Sequence, residues 1–180
     1  MRIDDNGVVD RARFLASPNS DERPPGARIE LIVVHAISLP PGEFGGPAID
    51  QLFLNTLDTT AHPYYATLVG LRVSTHFVIR RSGGLTQFVP CGRRAWHAGI
   101  SEWRGRAACN DFSVGIELEG CDDQPFEPAQ YAVLAELTGA LEQAYPIADI
   151  VGHSDVAPGR KTDPGPCFDW ALYRGLLARG

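Results

Sequence analysis

A chain of 180 residues with 44% hydrophobic and 21% charged positions is sized for one globular core and lacks a disordered composition. Its formal net charge of -6 gives no broad attraction to phosphate backbones or anionic membranes, which argues against nucleic acid or a lipid surface as partner. The amino terminus MRIDDNGVVDRARF has no basic start, apolar core and small-residue cleavage site, and no run is apolar enough to span a bilayer, so a cytoplasmic protein is expected.

Residues 1–28 are expected to form an arm packed on a single domain covering 1–180. The run IELIVVH, Ile29 to His35, is apolar and rich in β-branched side chains, as in a strand buried on both faces. SLPPGEFGGP then punctuates a loop, and a short helix is predicted near Ala48 to Asn55. STHFVIRRSGGLTQFVP reads as a hairpin turning at Ser82, Gly83 and Gly84, with a second strand from Leu85 to Val89. The stretch through Trp96, His97, Gly99 and Trp103 reads as a long loop, a type of segment that often carries function. In SVGIELEG, Val114, Ile116 and Leu118 alternate with Glu117 and Glu119, which places two carboxylates on one face of a strand. Tyr131, Leu134, Leu137 and Leu141 recur at three and four within Glu127 to Ala144, an amphipathic helix. A strand near Asp149 to Val151 and a terminal helix in FDWALYRGLLARG complete an interleaved order, predicting an α/β fold with a mixed sheet flanked by helices. Cys91, Cys109, Cys121 and Cys167 include no C-x-x-C pair and are expected to be reduced, mostly packed thiols.

His35 and His153 stand where an apolar strand gives way to a Gly/Pro-rich loop. Asp163 lies ten residues after His153, in a loop whose Pro158, Gly159, Pro164 and Pro166 can fold it back. Two imidazoles and one carboxylate form a recognised catalytic zinc set, because three protein ligands leave the fourth position open for water. Spacing alone does not distinguish this from histidines that are simply packed, and the alternation leaves Glu117 and Glu119 equivalent.

The segments VVHAISLPPGEFGGP, RAWHAGIS, CNDFSVGIELEG and GHSDVAPGRKTDPGPCFDW closely resemble the cytosolic AmpD-type 1,6-anhydro-N-acetylmuramyl-L-alanine amidases, zinc amidases related to peptidoglycan recognition proteins. The likeness runs from SPNSDERP to the last helix. It implies that His35, His153 and Asp163 hold one zinc ion, that Glu117 passes a proton from water to the leaving amine, and that Lys161 helps stabilise the oxyanion. The resemblance also makes Trp96 and His97 a wall of the substrate groove, Arg72 a partner for a stem-peptide carboxylate, and His76 a supporting residue beside the site. Ala36 and Ala108 stand where such amidases commonly carry Asn and Arg, so that either Arg106 replaces the missing cation in part or selectivity for peptide length is relaxed. Asp155 is read as fixing the loop, Arg160 as a solvated surface charge and His62 as structural or exposed. The implied substrate is a small soluble muropeptide of cell-wall recycling, with a consequence for β-lactamase induction and no obligate protein partner. A pure binding module would not need this ligand set, a cysteine hydrolase lacks its nucleophile motif, and a structural zinc would want four ligands.

Overall fold

The computed structural model describes residues 1–179. Its strands are β1 Arg13–Phe14, β2 Ser20–Glu22, β3 Leu31–Ile37, β4 Phe77–Ile79, β5 Leu85–Gln87, β6 Arg93–Ala95, β7 Glu102–Trp103, β8 Arg106–Ala107, β9 Ser113–Glu119 and β10 Asp149–Gly152. The helices are α1 Ala48–Phe53, α2 Pro63–Ala66, α3 Pro128–Ala144, α4 His153–Val156 and α5 Trp170–Leu177. Gly180, the last residue of the predicted terminal helix, lies outside the described residues.

Six strands form one mixed sheet in the order β1-β5-β4-β9-β3-β10. Strands β4, β9, β3 and β10 run parallel, while β5 is antiparallel to β4 and pairs in parallel with β1. Side chains of a strand alternate between faces, so the apolar run of β3 serves both. Ile32 and Val34 join Val114, Ile116 and Leu118 of β9 in a core closed by Leu134, Leu137 and Leu141 of α3. Each of these fully buried leucines contributes about 1.5–3 kcal/mol of burial. Leu31 and Val33 face the other way, toward Phe112, Val151 and Val156. Farther along that second face, Val78 packs with Phe53 and Phe88 under α1.

Helix α3 starts where sequence chemistry dictates. Glu127 caps it in extended conformation, Pro128 occupies the first turn, and the Glu127 N–H donates to Gln130 Oε1 at 3.0 Å. Gln130 Nε2 then donates to the carbonyls of Ile79 and Glu119, fastening the first turn to β4 and β9.

The predicted strand Ile29 to His35 is shifted to Leu31–Ile37, because β9 extends through Glu119 and offers ladder partners to Ala36 and Ile37. His35 therefore sits inside a rigid strand, two residues before its end. The predicted helix to Asn55 stops at Phe53, with Asn55 at φ 60°. Within the stretch read as loop, β7 and β8 form a tight hairpin around Arg104 and Gly105, both at positive φ. Two successive positive-φ positions suit a two-residue hairpin turn, but Arg-Gly is a weaker sequence signal for it than Asn-Gly. All four cysteines are free, Cys91 and Cys109 buried.

The amino-terminal segment is held by polar contacts as well as by β1. The Val9 N–H donates to Gln87 Oε1 at 2.8 Å, and Gln87 Nε2 donates to the Gly7 carbonyl at 2.8 Å. The Arg23 guanidinium donates to the carbonyls of Cys91, Asn110, Asp111 and Ser113, tying this segment to the turn before β9. His76 is fully buried beside it: its Nδ1 accepts from the Gly115 N–H at 3.1 Å and its Nε2 faces the Arg93 carbonyl at 3.1 Å. Burial, with the nearby Arg23 charge, pushes the imidazole down to about 3.

Two outcomes follow for stability. Leu137→Ala removes side-chain volume from the sealed core under β9 and is expected to cost about 2–5 kcal/mol in urea unfolding, with the cleft on the opposite face unaffected. Unfolded His76 titrates near pH 6.5, well above its folded value, so the unfolded state binds the extra proton between those limits. The associated stability is present above about pH 6.5 and is lost as pH falls, by up to about 1.4 kcal/mol per pH unit. His76→Asn should flatten the decline of unfolding free energy between about pH 6.5 and about pH 4. Parallel curves for the two proteins would exclude His76 as a contributor.

Candidate metal centre and cleft

The parallel register of β3 and β9 places His35 directly opposite Glu117, and β4 places Val78 on the other side of Glu117. Strand β10 ends with Gly152 opposite Val34, so the next residue, His153, arrives beside His35. Helix α4 begins there, and Asp155 Oδ2 accepts from the Gly152 N–H at 2.7 Å, the loop-fixing role read from the sequence. The Gly/Pro-rich loop then returns Asp163 to the histidines, and the Ser154 N–H donates to the Asp163 carbonyl at 2.9 Å.

Three ligand atoms converge. His35 Nδ1 lies 2.9 Å from His153 Nδ1 and 3.2 Å from Asp163 Oδ2, and His153 Nδ1 lies 3.0 Å from that same oxygen. The ligand atoms of all three residues fall within 4.8 Å of one another, compact enough to coordinate a single cation. The donor set, two imidazole nitrogens and one carboxylate oxygen, suits a borderline divalent metal such as zinc. Burial pushes His35 down to about 4, with the Asp163 hydrogen bond opposing the shift. Burial alone would raise Asp163, but hydrogen bonds from His153 and His35 outweigh it and hold the carboxyl well below the usual range.

Both histidines are oriented by a single loop. His35 Nε2 lies 2.9 Å from His97 Nδ1, and His153 Nε2 lies 3.1 Å from the carbonyl of Ala98. Asn110 Oδ1 accepts from the Ala98 N–H at 2.8 Å. Arg160, read from the sequence as a solvated charge, instead donates to the carbonyls of Ala98 at 2.7 Å and Ile100 at 2.6 Å. It thus ties the Trp96 loop to the loop bearing Asp163.

The structure separates the two glutamates that the alternation left equivalent. Glu119 is buried and satisfied: it accepts from Arg80 at 3.0 Å and from the N–H groups of Gly45 and Arg81. Glu117 lines the cleft, and its Oε2 is sealed from solvent without a hydrogen-bond partner. Burial raises its carboxyl well above the usual range, the Asp163 charge adds to the rise, and Lys161 opposes it.

Glu117, His153 and Asp163 lie on the wall of an open cleft of about 1080 Å³, with His35 buried behind them. Trp96, Arg72, Lys161, Ala36 and Tyr64 also line it. Arg72 and Lys161 are exposed, and Arg72 makes no ion pair among the described residues. His97 reaches the cleft but is only 9% exposed, with Nε2 3.0 Å from Ser113 Oγ. Arg106 is not brought to the cleft: it donates to Glu30 at 2.6 Å and lies 3.9 Å over the Phe112 ring. Ala108 takes a left-handed conformation at φ 59°. His62 caps α2 by accepting from the Tyr64 N–H at 3.1 Å. Asn110 and Ser113 went unnoticed in the sequence and Arg160 was given another role, because each acts through backbone or through another side chain. Their only signal was proximity to CNDF and GRKTD.

Comparison with known proteins agrees with this geometry. The family profile of N-acetylmuramoyl-L-alanine amidases matches residues 25–166. The 1,6-anhydro-N-acetylmuramyl-L-alanine amidase AmpD of Citrobacter freundii is 54% identical over 175 residues, 96% of this chain and 94% of that protein. The crystal structure of a selenomethionine AmpD derivative superposes with a TM-score of 0.96 at 55% identity, covering 98% of this chain and 99% of the other. The amidase AmiD from E. coli, in complex with the substrate anhydro-N-acetylmuramic acid-L-Ala-D-gamma-Glu-L-Lys, superposes at 0.61 with 32% identity, covering 86% of this chain and 60% of the other. With the fold, the convergent ligand set and matches over nearly its whole length in agreement, the chain belongs to the N-acetylmuramoyl-L-alanine amidase family.

Proposed function

We propose that this chain is a zinc amidase that cleaves the amide bond between (1,6-anhydro-)N-acetylmuramic acid and L-alanine in small soluble muropeptides. The observation that carries the reading is the convergence of His35, His153 and Asp163 beside the partnerless carboxyl of Glu117 in an open cleft. Support for the substrate comes from the anhydromuramyl compounds named for AmpD and bound to AmiD. The whole chain, 1–180, acts as one catalytic domain with residues 1–28 as an arm upon it. The setting is the cytoplasm, where recycled wall fragments also bear on β-lactamase induction; no helix among the described residues is long and apolar enough to cross a membrane.

His35, His153 and Asp163 would hold the ion. A zinc ion bound there supplies Lewis acidity, which polarises the scissile carbonyl and acidifies water near neutral pH. Glu117 takes the proton from the attacking water as its oxygen bonds to the carbonyl carbon. It then delivers that proton to the alanine nitrogen as the C–N bond breaks, leaving a carboxylic acid and a free amine. A carboxyl raised by burial suits this transfer, since its ionised form is a stronger base than an ordinary carboxylate. Lys161 places a positive charge at the same end of the cleft, where negative charge develops on the carbonyl oxygen. Trp96 offers a flat apolar face to the sugar, and Arg72, an exposed cation on the wall, pairs with a peptide carboxylate. Because Arg160 is committed to backbone carbonyls and Arg106 to Glu30, neither replaces the cation absent at Ala108.

Exhaustive chelation is expected to abolish release of peptide from an anhydro-muropeptide, and one equivalent of zinc per chain to restore it; full activity in the metal-free protein would overturn the assignment. Glu117→Gln is expected to retain zinc while losing about 10²–10⁴-fold in kcat. Unchanged turnover in that variant would remove Glu117 from the proton path.

A further inference from the structure

We propose that His97 is a positioning residue for the metal centre: its Nδ1 accepts the His35 Nε2 proton, and Ser113 Oγ accepts the His97 Nε2 proton, so that the lone pair of His35 Nδ1 is directed at His153 and Asp163. The inference rests on the reading of His35, His153 and Asp163 as ligands. It deepens that reading by naming what selects the tautomer. An imidazole that coordinates through Nδ1 must carry its proton on Nε2, and the polarity of the rest of the chain follows from that requirement. The heavy-atom separations, 2.9 Å from His35 Nε2 to His97 Nδ1 and 3.0 Å from His97 Nε2 to Ser113 Oγ, are those of hydrogen bonds.

The fold reserves a place for this ring. Gly115 lies opposite Val33, two residue-pairs before the His35–Glu117 pair and so on the face that carries the site. A Cβ at Gly115 would stand 2.5 Å from His97 Cγ and 2.6 Å from its Nδ1, so only glycine leaves room for the imidazole to lie on the sheet behind His35. The two rings meet edge to face at 88°, with centroids 5.0 Å apart. The carbonyl of the next residue, Ala98, meets His153 Nε2 at 3.1 Å, so adjacent residues of one loop orient both ligand imidazoles. Both outer partners of His35 in this relay are neutral, which leaves Asp163 as the single negative charge of the ligand set.

The test compares His97→Asn, whose amide oxygen keeps an acceptor near the position of Nδ1, with His97→Leu, of similar size but without one. Zinc affinity is read by chelator competition, and the tautomer of His35 from imidazole ¹⁵N shifts of the metal-free proteins. In wild type His35 should be protonated at Nε2. The Leu variant should lose that single tautomer and about 10–100-fold in zinc affinity, and the Asn variant should recover most of both. Unaltered affinity and tautomer in the Leu variant, or equal losses in Asn and Leu, would overturn the proposal. If wild type itself fails to bind zinc, the metal reading falls, while the ¹⁵N shifts still decide whether His97 orients His35. Should His97→Leu not fold, Ser113→Ala removes the end of the relay without changing the space for the ring. It should shift the tautomer and weaken zinc binding in the same direction, and no change in either would equally refute the relay.

Discussion

The parallel pairing of Leu31–Ile37 with Ser113–Glu119 is the constraint from which the site follows. Side chains of neighbouring strands emerge in register, so His35 beside Glu117 is a consequence of ladder hydrogen bonds rather than of any attraction between the two groups. A slip of either strand by one residue would turn its own polar group into the apolar core under α3. The opposite face, with Ile32, Val34, Val114, Ile116 and Leu118 sealed against the helix, makes such a slip prohibitively costly. The burial of aliphatic side chains on one side of the sheet thereby holds the polar groups in place on the other.

Polar groups on a sheet face must be satisfied or they destabilise it. Glu119 meets this requirement through Arg80 and two backbone N–H groups, and His76 through the Gly115 N–H and the Arg93 carbonyl. Glu117 does not meet it at Oε2, and the three convergent ligand atoms crowd two imidazoles and a carboxylate together. Two buried side-chain atoms lack a partner among the described residues, Arg81 Nη1 and Glu117 Oε2, and of the two only the glutamate lines the cleft. The surrounding contacts make the arrangement rigid: Arg160 and Asn110 hold the Trp96–Ile100 loop, and Arg23 holds the turn before β9.

The departures at Ala36 and Ala108 acquire a physical meaning in this frame. Ala36 lines the cleft and presents only a methyl group there, while Ala108 sits at a left-handed turn position. With Arg160 committed to backbone carbonyls, the cations left free on the cleft wall among the described residues are Arg72 and Lys161. Arg106, although near in sequence, is drawn away by Glu30 and by stacking on Phe112.

Sequence alone determined the elements whose signal is local: the apolar run of β3, the alternation of β9, the period of α3, and the hairpin at Ser82–Gly84. Motif resemblance singled out His35, His153 and Asp163 as a ligand set, and the structure brings their ligand atoms together. What periodicity left open were distinctions between residues of the same type. Glu117 and Glu119 share a face, and only the place of Arg80 across the sheet shows which carboxylate is neutralised. Likewise His97, Asn110, Ser113 and Arg160 reveal their parts only once distant strands meet, because hydrogen bonds between residues 16 or 62 positions apart leave no periodic trace in the chain. Local pattern is written by backbone geometry over a few residues; the chemistry of the site is written by register between strands, which only tertiary structure sets.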